Sequence, residues 1–120
     1  MDNNTNGLVI HAGTNSLRWG LKLSDEQIAE QVINIGKDGM NDGVEKVFIS
    51  SLIFRGPKTK FLNPRILNIN RILYELCQQN GFIFINNDNI TADFISPIDD
   101  IHLKDEGTVL LKQNFLRALF

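Results

Sequence analysis

The chain has a single cysteine, Cys77. No internal disulfide can form, and a reducing, intracellular setting is the simplest expectation. One cysteine and two histidines also leave a zinc site short of ligands. Long apolar runs are missing: none approaches the roughly 20 residues of a membrane helix. The opening segment, MDNNTNG, has neither the basic stretch nor the apolar core of a secretory leader, so a cytoplasmic location is expected. An excess of positive charge is missing too. Twelve Lys and Arg stand against 14 Asp and Glu, for a net charge of −2. Without a basic stripe, neither nucleic acid nor a membrane surface is an expected partner.

What is present suits one globular domain spanning residues 1–120, with 42% hydrophobic residues and no internal repeat or linker. GLVIHA, residues 7–12, is a short apolar run ended by GTNS and predicts a buried strand running into a loop. Ser24 and Gln27 have the spacing of a capping box, with Asp25 and Glu26 where a helix dipole favours anions. Ile28, Val32 and Ile35 then form an apolar stripe. VEKVFISSL, residues 44–52, predicts a second strand covered on both faces. Pro64 suits the first turn of a second helix reaching about Gln79, with Ile66, Ile69, Leu73, Leu76 and Cys77 on one side and Asn80-Gly81 as its stop. FIFIN, residues 82–86, predicts a third strand. Asp105 and Glu106 open a last helix carrying Val109, Leu110, Phe115 and Leu119.

Strand and helix alternate three times. That order predicts an α/β sandwich with a parallel sheet, whose ligands sit beyond the carboxyl ends of the strands. GTNS and SSLIFR follow the first two strands and belong on that rim. DDIHLKDEG, residues 99–107, reaches it from ahead of the last helix. A carboxylate three residues before a histidine, as in Asp99 and His102, is a common way to orient a general base.

VIHAGTNS resembles the third sequence block, G-x-N-D, of the SGNH (GDSL-type) hydrolases. DDIHLKDEG resembles their last block, D-x-x-H followed by a leucine and a helix. VFISSLIFR and NINRILYELCQQNGFIFIN are similar to the family's fourth strand, its helix and its fifth strand. The resemblance extends over nearly the whole chain from Leu8 onward. It implies a flavodoxin-like three-layer fold and ester hydrolysis through a serine acyl-enzyme, with no metal or cofactor. It also implies roles. Asn15 donates to an oxyanion, Gly13 permits the turn that presents it, His102 is general base and acid, and Asp99 rather than Asp100 holds the His102 tautomer. Ser16 stands where the family has aspartate, a departure in the loop that carries Asn15.

The larger departure is the family's first block. No G-D-S-L occurs in the chain, and only seven residues precede Leu8. The expectation is therefore a partial domain of about three strands and three helices, lacking the nucleophile and the glycine donor. A triad acts as a unit, and one oxyanion donor is worth about 10²–10³ in rate, so the chain alone is expected to be inert toward esters. Ser16, in the loop itself, and Ser50 and Ser51, near the rim end of the second strand, lack the sharp strand-to-helix turn that exposes an activated serine. The first strand is expected to be an apolar edge, open to self-association or to a complementing chain. The alternative reading is a non-catalytic interaction domain or a degenerate product that keeps the fold. A flavodoxin-like binder ranks last, since GTNS lacks the glycines and lysine of a phosphate loop.

Other residues have plainer readings. His11 is expected to be a satisfied core or rim histidine and Cys77 a small core hydrophobe. Arg55 is expected to be a solvated loop residue ahead of an acidic-substrate contact. Asp99, Asp100 and Asp105 are too few and too irregular for a calcium loop. Trp19 is either a lid or a surface anchor.

Overall fold

A computed structural model describes residues 7–11, 23–98 and 102–119. Strand β1 is Gly7–Ile10, helix α1 Asp25–Asn41, strand β2 Lys46–Ser50, helix α2 Asn63–Asn80, strand β3 Ile83–Ile85 and helix α3 Asp105–Leu119. Two single 3₁₀ turns, Lys60–Leu62 and Ala92–Phe94, precede α2 and α3. Among the described residues the sheet is parallel in the order β1-β2-β3, with Ile10 opposite Ile49 and Ser50 opposite Ile85. This is the expected α/β, flavodoxin-like arrangement, with a helix in each crossover.

Local chemistry sets the helix ends. The Ser24 hydroxyl accepts from the Gln27 backbone N–H and the Gln27 side chain accepts from that of Ser24, which completes the capping box. Pro64 lies in the first turn of α2. Gly81 caps its end in the left-handed region at φ 70°, where a side chain would be strained.

The main core lies between the sheet and the α1–α2 layer. It joins Ile10, Val47 and Ile49 of the strands to Ile28, Val32 and Ile33 of α1 and Ile66, Ile69, Leu73 and Cys77 of α2. The stripe expected on α1 is rotated. Ile35 is 48% exposed, whereas Ile33 and Gly36 are buried. On α3, Val109 and Leu119 face solvent, and Leu110, Leu111 and Phe115 are half-buried. A second cluster of Ile53, Ile90 and Ile95, packed by Phe94, Leu103, Leu110 and Leu111, fills the space beyond the carboxyl ends of β2 and β3.

The Asp25 carboxylate ties α1 to α2. It accepts from Arg65 Nε at 2.8 Å and from Asn68 Nδ2 at 2.8 Å. Burial raises its pKa, but these bonds and the Arg65 charge outweigh burial and hold it below the usual value. Burial pushes the Cys77 thiol up to about 11, as suits a core residue. No helix among the described residues is long and apolar enough to cross a membrane.

Candidate site at the carboxyl rim of the sheet

Side chains alternate along a strand. Val47 and Ile49 face the α1–α2 core, so Phe48 and Ser50 face the opposite side, where α3 lies. His11, one residue past the end of β1, shares that side with Ser50. The Ser50 hydroxyl is 2.9 Å from His11 Nδ1 and 2.6 Å from Asn87 Nδ2. Asn87, just past β3, also donates Nδ2 to the Ser51 carbonyl at 2.9 Å, and its backbone N–H donates to Ser51 Oγ at 3.0 Å. From α3, Asn114 Nδ2 donates to Asn87 Oδ1 at 3.0 Å and to Asn89 Oδ1 at 2.9 Å. Phe115 meets the His11 ring edge-to-face at 6.0 Å. Ser50, Ser51, Asn87 and Asn114 are all buried, and their mutual bonds satisfy groups that would be costly to leave unpaired.

His11 closes this network at the surface. The residue is exposed, yet its ring is hemmed in enough that desolvation lowers its pKa below the ordinary value. It is thus a histidine at the rim, as expected from its neighbours, with Nδ1 engaged by Ser50. The hydroxyls of both serines are taken up by these bonds.

His102 is exposed and held by its backbone. Its carbonyl accepts from the Ser96 N–H at 2.7 Å, and the Lys104 N–H donates to the Phe94 carbonyl at 2.8 Å. Together with the antiparallel bridge between Ile95 and Leu103, these bonds form a short clamp ahead of α3. Leu103 packs on the cluster containing Ile53 and Ile90, so His102 sits on the carboxyl side of the sheet. The clamp also explains Gly107, in the first turn of α3. A Cβ on Gly107 would lie 2.9 Å from the Phe94 carbonyl oxygen and 3.0 Å from Phe94 Cβ. Gly13, Asn15, Ser16, Trp19, Asp99 and Asp100 lie outside the described residues.

The segment after β2 is clamped by two asparagines two turns apart on α2. Asn70 bonds both the N–H and the carbonyl of Leu52, at 2.8 and 3.0 Å. Asn63 does the same for Arg55, at 2.8 and 3.3 Å. Arg55 itself is 4% exposed, which corrects its reading as a solvated loop residue: the Asn63 clamp folds this segment inward. Among the described residues no cluster of histidine, cysteine or carboxylates is placed to hold a metal. A groove of about 410 Å³ on the α2–β3 side, lined by residues including Tyr74, Phe84 and Arg71, shares no residue with the rim network.

Sequence reasoning missed the part played by Asn87 and Asn114. Neither belongs to a motif, and the available signal was only a polar residue just past a strand and another within an amphipathic helix.

No family model matches the chain, and no curated protein matches it. Among solved structures, the fold is similar to that of a point mutant of an acetyl-xylooligosaccharide esterase from Geobacillus Stearmophilus, with a TM-score of 0.63 and 12% sequence identity. The similarity covers 93% of this chain and 57% of that one. The chain thus spans a little over half the length of the esterase it matches.

Proposed function

We propose that this chain is part of an SGNH-type ester hydrolase site and contributes the proton-transfer and oxyanion side of the reaction. The observation that carries the reading is the clamped position of His102 on the carboxyl side of a parallel sheet, whose first strand leads directly into GTNS. Similarity of the fold to an esterase supports it. In this reading His102 removes the proton from a serine hydroxyl as the oxygen attacks the ester carbonyl carbon, and Asp99 holds the imidazole tautomer. Asn15, on the turn permitted by Gly13, donates to the oxyanion. His102 then returns the proton to the departing alcohol, and water releases the acid by the same steps.

The nucleophile is not supplied by these 120 residues. No G-D-S-L is present, and Ser50 and Ser51 are buried in the rim network. The chain alone therefore hydrolyses p-nitrophenyl acetate at the background rate, and His102→Ala changes nothing. Hydrolysis appears when a serine-bearing G-D-S segment is joined ahead of it or supplied as a separate chain, and it is then lost in His102→Ala. Failure of every such combination, with folding intact, overturns the reading. A reducing, cytoplasmic setting without a nucleic-acid or membrane partner is the reading that the single cysteine and the net charge of −2 support.

A second reading is favoured by one observation. Among the described residues β1 is an edge strand and carries Leu8, Val9 and Ile10. Such an edge suits pairing with a second copy or a complementing chain, with the domain acting in assembly rather than catalysis. Sedimentation equilibrium tests this directly, and a monomer at every concentration up to the millimolar range rules out self-pairing.

A further inference from the structure

The rim network has a direction, and the direction is set by a group that cannot be reversed. The Ser51 carbonyl only accepts, so the Asn87 atom 2.9 Å from it is the amide nitrogen. That nitrogen also donates to Ser50 Oγ at 2.6 Å, which uses both of its hydrogens. Asn87 Oδ1 accepts from Asn114 at 3.0 Å, as the same orientation requires. The Ser50 hydroxyl, already an acceptor and fully buried, needs an acceptor for its own proton. Among the described residues His11 Nδ1, at 2.9 Å, is the group placed to take that proton. Nδ1 is therefore bare, and a neutral ring in this state carries its proton on Nε2. Nε2 lies on the ring edge away from Ser50, in a residue that is exposed at the carboxyl rim.

A relay running from α3 through β3 and β2 thus ends in the Nε2–H of a residue that is exposed at the rim. We propose that His11 is a binding residue of the rim, offering its Nε2–H to an oxygen of an acyl group: a carbonyl oxygen in an ester or a carboxylate oxygen in the released acid. A neutral imidazole held as a donor polarises a carbonyl without carrying a charge that must be desolvated. The identity of the acceptor rests on the ester-hydrolase reading, whereas the donor state of His11 rests on the relay alone.

The test uses the full chain, ¹⁵N-labelled, with sodium acetate as probe. Long-range ¹H–¹⁵N spectra at neutral pH show His11 as the Nε2–H tautomer, and acetate shifts its Nε2 signal. His11→Phe, which keeps an aromatic ring against Phe115, weakens acetate binding about fivefold, the worth of one hydrogen bond. His11→Gln, whose amide reaches to a similar distance, restores most of it. Ser50→Ala frees Nδ1, so both tautomers appear and acetate binds less well. A dominant Nδ1–H tautomer overturns the proposal. So does an acetate response that misses the His11 ring, or one that survives unchanged in folded His11→Phe. Absence of esterase activity in the serine-complemented form, with the His11 response intact, counts against the ester-hydrolase reading and leaves the donor assignment standing.

Discussion

The Ser50 hydroxyl bridges His11 Nδ1 and Asn87 Nδ2 at 2.9 and 2.6 Å, joining the carboxyl ends of all three described strands through one buried oxygen. The bridge favours a neutral imidazole, and burial lowers the His11 pKa from its ordinary 6.5. The unfolded chain binds a proton at His11 as pH falls through 6.5, while the folded chain resists until its lower pKa is reached. Stability contributed by the neutral ring is therefore fully present above 6.5 and declines below it. Urea unfolding at pH 7.5 and 5.5 should show a larger loss for the natural chain than for His11→Phe.

Asn87→Ala removes the middle of the relay. It leaves the Ser51 carbonyl and an Asn114 N–H without their partner, and strips Ser50 of a donor, all in buried positions. The expected loss is about 2–3 kcal/mol, read as a lower urea midpoint with an unchanged slope.

Gly107→Ala sets helix propensity against sterics. Alanine favours a helix by about 1 kcal/mol, but its Cβ would meet the Phe94 backbone oxygen at 2.9 Å. That oxygen is held by Lys104 and cannot retreat freely. Sterics win, at a net cost of about 1–3 kcal/mol. Amide exchange at Ser96 and Lys104 should quicken, because the clamp that positions His102 is what must shift.

Asp25 links stability to acid pH. Its folded pKa is held below the ordinary 3.8, so its contribution is complete above that value and is lost as pH falls through the lower, folded one. Asp25→Asn should lower stability at pH 6, and the deficit should shrink toward pH 2 in urea titrations. Its ion pair with Arg65 is partly shielded from solvent, which places the effect at pH 6 at about 1–2 kcal/mol.

Cys77 reports on the core. At 1% exposure and with its pKa raised to about 11, it should not react with a disulfide reagent at pH 8 in the folded chain. Its labelling rate should rise with urea along the same curve as global unfolding. Rapid labelling without urea would mean that α2 opens on its own.

Much of the fold was legible because it depends on neighbours in the chain. The Ser24–Gln27 box, Pro64 in the first turn of α2 and the stop at Asn80-Gly81 are each determined within a few residues. Alternating strand and helix implied the parallel sheet. The α1 stripe was harder: Ile33 and Ile35 both border the apolar arc, and only packing against the sheet decided that Ile33 goes in. Arg55 was misjudged because Gly56, Pro57 and Lys58 after it read as a loop, while the clamp on its backbone comes from Asn63 on the next helix.

By itself, then, the sequence determined the order and kind of the elements, the ends of the helices and the place of His102 just ahead of α3, but not the clamp to Phe94 and Ser96 that holds it there. Tertiary structure alone decided which polar groups are buried together. His11, Ser50, Asn87 and Asn114 come from four separate elements, and no local pattern marks them as partners. A buried hydrogen bond depends on where two groups meet in space, and that follows only once the strands have paired and α3 has closed over their carboxyl ends.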